Sequence, residues 1–379
     1  MLQATRQLLI ASKVSDALHR IHPALSVLPY VCENYIVFGM TGVFNGQKYQ
    51  AVADTARCLV TTAIEATWPS KEVPLLFLGD WCLIHERKSA WDKRDSVVAP
   101  YHWDDRKKLH NDYLYLQSLH EELLEELGNK LNELHNVDHS LRYWRIVVGP
   151  WLGYFIQMLF DRWAMLRFVL DNNEIAEVRV LKRPGWFGVP NDMTEFQAMF
   201  VTDEWNELIY GQILDWMEVP VEKVSSSTTN IFSSCGCVGL LKRLKRSLVM
   251  VATQIQGLIA KKNEFFFISS YLGVRHDLLL QIKLGQIPKL WRPLKTPRSA
   301  FDQSHRDWRL QERACGHEFE SLARALIPKN IPMAYVEGYK AFIALVGNLP
   351  WPKTPTAIFT SNSHISDDLF KAWAADKVL

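Results

Sequence analysis

The residue types best able to do chemistry in this 379-residue sequence come in short clusters that mix aromatic, acidic and basic side chains. Asp80 and Trp81 close an apolar run. Tyr101 to Arg106 reads YHWDDR, which places His102, Trp103, Asp104, Asp105 and Arg106 together. Arg142, Tyr143, Trp144 and Arg145 precede a long apolar stretch, and Asp161, Arg162 and Trp163 interrupt it. Flat rings that pack on the C–H faces of a sugar, with carboxylates and guanidiniums taking its hydroxyls, make a carbohydrate site. The same residues could form buried Asp–Arg pairs and an acidic helix cap at Asp104 or Asp105. Both readings stand at this level.

Motifs for other chemistries are missing. There is no P-loop, no GxGxxG opening a helix after a strand, no GxSxG elbow and no HExxH pair. His135 and His139 stand four apart without a third ligand, so they are expected to be solvated and no metal is expected. Cys235-Gly236-Cys237 reads as loop cysteines. Lys+Arg 43 against Asp+Glu 41 leaves a formal charge of +2, too little for a polybasic grip on nucleic acid or an anionic membrane. The basic clusters Lys242, Arg243, Lys245, Arg246 and Lys289, Arg292, Lys295, Arg298 are therefore expected to be solvated surface. Six cysteines with no framework spacing fit a reducing, cytoplasmic setting. Tryptophan (14) outnumbers tyrosine (12), and most of these rings are expected in the core.

The elements that must position these clusters follow from periodicity. Leu109, Tyr113, Leu116, His120, Leu123, Leu127, Leu131 and Leu134 recur at steps of three and four, one stripe of a long helix, with His120 as a hydrogen-bonded core histidine. A second helical region, 141–170, is expected to break at Gly149-Pro150. Its apolar core, Ile146 to Phe160, is too short to span a bilayer, and no transmembrane segment or secretion signal is expected. Strands are expected at 73–79, 175–181, 263–270 and 356–360, and further helices at 202–217, 240–259, 275–285, 306–326 and 366–377. Strands interleaved with helices imply α/β layering. The expected organisation is an N-terminal extension at 1–56, the first part of an α/β domain at 57–224, a linker or flap at 225–237 and the second part of the domain at 238–379.

Taken in order, FLGDWC (Phe77 to Cys82), YHWDDR, LNELH (Leu131 to His135), RYWRIVVGPWL (Arg142 to Leu152), the Asp161-Arg162 pair, FFFISSYL (Phe265 to Leu272), GQIP (Gly285 to Pro288), YVEGY (Tyr335 to Tyr339), IFTSN (Ile358 to Asn362) and FKAWAA (Phe370 to Ala375) resemble the bacterial leptospiral-type transferase family associated with surface-polysaccharide biosynthesis. The resemblance runs from about Cys58 to the C-terminus. It implies the Rossmann-like layered half of a GT-B-like transferase with large helical insertions, acting on cytoplasmic surface-carbohydrate precursors, in the cytoplasm or peripheral to the inner membrane. It also implies that the chain ends where a donor-binding half is expected, so that this is a truncated or split acceptor-side half, with a second chain supplying the rest. On that reading no cofactor is bound by this chain, the donor is a nucleotide-sugar and the acceptor is a carbohydrate. The general base lies among Asp104, Asp105 and Glu337. Trp81, His102, Trp103, Arg106, Arg142, Arg145, Arg162, Ser361 and Asn362 bind substrate, with helix capping as the plainer role for Ser361. The alternative is a non-catalytic carbohydrate-binding or assembly partner of a second polypeptide.

Overall fold

Buried parallel strands read as short apolar runs without alternation, and the two at the heart of this chain's five-stranded sheet, Arg57–Val60 and Leu75–Phe77, are fully buried while the others are partly exposed. A computed structural model describes residues 56–225, 264–310 and 317–378. The strands are Arg57–Val60 (β1), Leu75–Phe77 (β2), Ser96–Val98 (β3), Ile175–Leu181 (β4) and Glu222–Val224 (β5). They pair in the order β3-β2-β1-β4-β5, every pair parallel, with Leu59 opposite both Leu76 of β2 and Val178 of β4. The chain steps outward from β1 to β3, then returns to the other side of β1 for β4 and β5. That reversal makes the β1/β4 boundary a topological switch point, where the ends of parallel strands leave room for a ligand.

Three helices join β3 to β4. Arg106–His135 (α1) starts where the Asp105 carboxylate accepts from the backbone N–H groups of Lys107 and Lys108. Its leucine stripe is buried at Leu116, Leu119, Leu123, Leu127 and Leu131, and His120 donates from Nε2 to the Gly149 carbonyl at 3.1 Å, as the stripe implies. Leu141–Val147 (α2) is capped by Ser140, and Gly149–Asn172 (α3) opens with Pro150 in its first turn. Proline is tolerated there because that N–H has no intrahelical partner. The apolar stretch around it is core: Trp151, Leu152, Phe155 and Ile156 are all buried. Among the described residues no helix is long and apolar enough to cross a membrane.

Met193–Met199 (α4) and Asp203–Trp216 (α5) lie between β4 and β5. After β5 come Phe265–Phe267 (β6), Val274–Lys283 (α6), Glu318–Asn330 (α7), Tyr339–Gly347 (α8), Ala357–Phe359 (β7), Ser363–Ser366 (α9) and Asp368–Val378 (α10). The helix expected from 306 is found from 318, because Arg306 ends a short 3-10 turn and its buried side chain is tied by Glu337 and by two carbonyls, of Pro328 and Ile331. The chain forms two compact units. Of the described residues, one comprises 56–225, 294–310, 317–348 and 364–378 and holds the five-stranded sheet; the other comprises 264–293 and 349–363, with β6 and β7 paired in parallel. The expected extension, the 225–237 linker beyond its first residue, the 240–259 helix and the cysteines at 235 and 237 lie outside the described residues.

Two expectations about charged residues change. His135 and His139 are not freely solvated: His135 donates from Nε2 to the Tyr335 carbonyl at 2.9 Å and stacks on Tyr339, and His139 stacks on Tyr143. Burial pulls both imidazoles below their ordinary value of 6.5. The unfolded chain therefore takes up protons first, so the stability they contribute is complete above that value and lost as pH falls through the lower folded values. The melting temperature is expected to drop between pH 7.5 and 5.5, and His135→Gln to reduce that drop. Lys289, expected at the surface, is instead buried against Glu264, with Gln281 accepting from its backbone N–H.

Candidate functional site

The C-terminal ends of β1, β2 and β3 open onto one edge of the sheet, and the loops that leave them fold back on it through side chains. The three carbonyls that follow β1 are each taken in turn: Thr61 accepts from Trp81 Nε1 at 3.0 Å, Thr62 from Trp68 Nε1 at 3.2 Å and Ala63 from Arg87 at 3.1 Å. Trp81 lies back over Gly79. A methyl group on Gly79 would clash with the indole ring, so only glycine lets the ring rest there. Gly79→Ala is expected to displace Trp81 and change its fluorescence while leaving the sheet folded.

Beyond β3 the chain delivers Tyr101, His102 and Trp103 to Asp161, which projects from α3. Asp161 accepts from the Tyr101 hydroxyl at 2.7 Å, from His102 Nε2 at 3.0 Å and from Arg162 at 2.9 Å. Burial alone would raise its carboxyl, but the His102 hydrogen bond, the Arg162 charge and the Tyr101 hydrogen bond outweigh it and hold Asp161 ionised, below the usual carboxylate range. The same burial and the Asp161 charge push the Tyr101 phenol far up, so it stays a neutral donor. Arg162 is fixed in turn by Asn206 of α5, whose Oδ1 accepts from its Nε and a terminal nitrogen at 3.0 and 2.7 Å.

These contacts set the tautomer of His102. An ionised carboxylate only accepts, so Nε2 carries the proton; an ammonium only donates, so Nδ1, 3.3 Å from Lys108 Nζ, presents its lone pair. In that tautomer His102 directs its Nδ1 lone pair, the base-competent nitrogen, at a half-exposed lysine. Lys108 also pairs with Asp112, which accepts from Trp103 Nε1 at 2.9 Å. Trp103 packs 4.6 Å from the His102 ring and stacks on Phe160, while Trp81 meets Tyr101 edge-on at 6.2 Å. The cluster unites an oriented base, an aromatic wall and a cation, which suits removal of a proton from a hydroxyl held against the rings.

Of the residues singled out by sequence, the structure brings together Trp81, His102, Trp103 and Arg162, with Asp104, Asp105 and Arg106 in the adjoining turn. Asp104 is exposed, and its N–H closes that turn on the Tyr101 carbonyl. Asp105 caps α1. Glu337 has both oxygens engaged by Arg306, at 2.6 and 2.8 Å, and lies buried in that pair. Arg142 and Arg145 sit on α2, away from the cluster. Arg145 pairs with Glu121, fifteen residues along α1 from Arg106 and so about 22 Å from its start. Ser361 and Asn362 belong to the smaller unit. There Thr360, not Ser361, accepts from the Ser363 N–H, and Asn362 donates to the Tyr271 hydroxyl at 2.7 Å. Tyr101, Lys108 and Asp112 were missed, although Asp112 stands one helical turn from Lys108 on a predicted helix, a spacing that pairs charges.

Also missed were two carboxylates one turn apart on α5. Asp203 accepts from the Ala63 N–H just past β1, and Glu207 accepts from the Leu181 N–H at the end of β4, at 2.5 Å. Successive N–H groups of a strand point to opposite sides. Lys182 donates to Val224 of β5, so the Leu181 N–H faces β1, and Glu207 takes it where the two strands part. Burial pushes the Glu207 carboxyl up to about 7 from an unfolded value of 4.5. Stability from this group is full below the unfolded value and is lost as pH rises through about 7. Glu207→Gln, which keeps an oxygen for Leu181, is expected to raise the melting temperature at pH 8 and change it little at pH 5.

A parallel α/β sheet with its polar and aromatic groups gathered beyond the strand ends is the architecture of ligand-handling α/β proteins. The chain belongs to the LIC12162 family of transferases, whose family model matches residues 57–378. No curated protein and no solved structure matches it. Among the described residues no group of three or more His, Cys, Asp or Glu is placed to hold a metal ion.

Proposed function

We propose that this transferase moves a glycosyl group from a nucleotide-sugar to a carbohydrate hydroxyl in the biosynthesis of surface carbohydrate, and that its GT-B-like five-stranded unit holds the acceptor. The observation that carries this reading is the oriented His102, fixed by ionised Asp161 and set among Trp81, Tyr101 and Trp103 at the sheet edge. His102 Nδ1 takes the proton of the acceptor hydroxyl as Lys108 yields its place. The freed oxygen bonds to the anomeric carbon, and the bond from that carbon to phosphate breaks with its electron pair leaving on the nucleotide. Asp161 stabilises the imidazolium that forms. The aromatic rings present apolar faces to the sugar and keep water from the reacting carbon.

The test is release of nucleotide from a panel of nucleotide-sugars by the purified chain, with and without oligosaccharide acceptors. Acceptor-dependent release is expected. Binding of oligosaccharide with no release from any donor would replace this reading with that of a non-catalytic carbohydrate-binding partner.

A further inference from the structure

Helix α6 of the smaller unit exposes what a helix normally hides. Its polar Gln281 is buried, at 1% exposure, while the next residue, Ile282, is 57% exposed. Residues four apart lie in one row along a helix. Val274, Leu278 and Ile282 therefore form one row of α6, and Arg275, Leu279 and Lys283 form the row beside it. Val274, Leu279, Ile282, Arg275 and Lys283 are exposed and Leu278 is half-buried. A globular protein ordinarily turns such an apolar stripe toward its core. Exposed apolar residues continue past both ends of the helix, with Tyr271 at 75% before it and Ile287 at 57% after it. Tyr271 is held at φ +58, a left-handed backbone uncommon for a bulky side chain.

Gln281 fixes this rotation of α6. Its Nε2 donates to the Lys289 carbonyl at 3.0 Å, and its Oε1 accepts from the Lys289 N–H at 2.9 Å and from Gln286 Nε2 at 3.0 Å. Gln286 is tied in turn to β6, donating to the Phe265 carbonyl and accepting from the Phe265 N–H. Turning α6 to bury Ile282 would break the bonds of a buried amide and leave its groups unsatisfied. The charge around the outward stripe has one sign. Asp277, the only acid on α6, stands in the row of Gln281 and accepts from the Ser270 hydroxyl at 2.6 Å. Glu264, the other acid among the described residues of this unit, is buried against Lys289. Among the described residues no acid pairs with Arg275, Lys283, Arg292 or Lys353.

We propose that the outer face of α6 binds an anionic lipid bilayer, lying in the headgroup layer with Leu279 and Ile282 inserted and Arg275 and Lys283 on lipid phosphates. Apolar side chains flanked by cations on one helix face match both parts of such a surface, the acyl boundary and the charged headgroups. A second copy of this chain matches it poorly, because two such faces would set cations against cations with no acid between them. The net charge of +2 gives no long-range field, so the attraction is local to this face. Docking of this kind is independent of the chemistry at His102.

The test is co-sedimentation of the full chain with vesicles of phosphatidylglycerol mixed into phosphatidylcholine, and with vesicles of phosphatidylcholine alone. Retention on the anionic vesicles is expected, weakening as salt is raised, with binding about tenfold weaker on the neutral ones. Two double variants, Leu279→Asn with Ile282→Asn and Arg275→Glu with Lys283→Glu, are each expected to bind the anionic vesicles about tenfold less tightly. Their melting temperatures should stay at the wild-type value, because all four side chains are exposed. Failure of the wild-type chain to sediment with anionic vesicles, or wild-type binding by either double variant, would overturn the proposal. A concentration-dependent dimer that the Leu279→Asn, Ile282→Asn variant abolishes would assign the face to a second copy and overturn it as well.

Discussion

Asp161→Asn is expected to cut the transfer rate by about 10²–10⁴-fold while the protein stays folded. The side chain is isosteric, but its chemistry is not. Ionised Asp161 accepts from three donors, and its charge fixes the proton of His102 on Nε2. An amide that turns its NH2 toward Nε2 forces that nitrogen to accept. The proton then moves to Nδ1, the nitrogen that must receive the acceptor's hydroxyl proton. The base is lost by tautomerism, with no atom displaced. Arg162 loses a charge partner as well but keeps Asn206. The check is the rate of acceptor-dependent nucleotide release, with circular dichroism to establish folding. Asp104→Asn is the matched control. Asp104 is exposed in the turn before α1 and is expected to change the rate far less. A severe loss in Asp104→Asn with a mild one in Asp161→Asn would return the base to Asp104.

The long helices were legible because their periodicity is long. Eight residues on one stripe specify α1, and Gly149-Pro150 marks the α2/α3 break in advance. Strand β4, seven residues, was read with the bounds it has. Strands β1, β3 and β5 are three or four residues each, too short for any period to show. Arg57 opens β1 with a charge that pairs with Asp95, 38 residues later. The same locality limits the site. YHWDDR drew attention by composition, and its neighbour Asp161 was noted only as part of an Asp-Arg-Trp cluster. That His102 and Asp161 touch depends on α3 running back along α1, which no local pattern states. Glu337 looked like a free carboxylate for the opposite reason: its partner Arg306 lies 31 residues away. Glu207 was invisible because its importance comes from where β1 and β4 part, and strand order is not written in spacing.

Asp368→Ala is expected to destabilise the fold by about 3–5 kcal/mol, a fall in melting temperature on the order of 10 °C. Asp368 and Lys371, one turn apart on α10, are both fully buried, with 2.6 Å between Asp368 Oδ1 and Lys371 Nζ. The carboxylate also accepts from the Tyr335 hydroxyl and, at 2.7 Å, from the Met193 N–H at the start of α4. Removing it leaves an ammonium with 0% exposure whose remaining hydrogen bond is to the Tyr335 hydroxyl, 3.1 Å away, with the Asp367 carboxyl as the nearby acid. It also strands a backbone N–H. Most of the loss is the cost of the uncompensated charge, because a buried pair contributes little net stability over an apolar replacement. Asp368→Ala combined with Lys371→Met should therefore recover most of it, less about 1 kcal/mol for the Met193 N–H. Chemical denaturation of the two single variants and the double variant gives that coupling directly. A double variant as unstable as Asp368→Ala alone would mean that the hydrogen bonds to Tyr335 and Met193, and not the charge of Lys371, set the cost. The network does not touch His102, so transfer per folded molecule in the double variant should match the wild-type value. Activity lost through α10 is lost with the fold, whereas Asp161→Asn loses it with the fold intact.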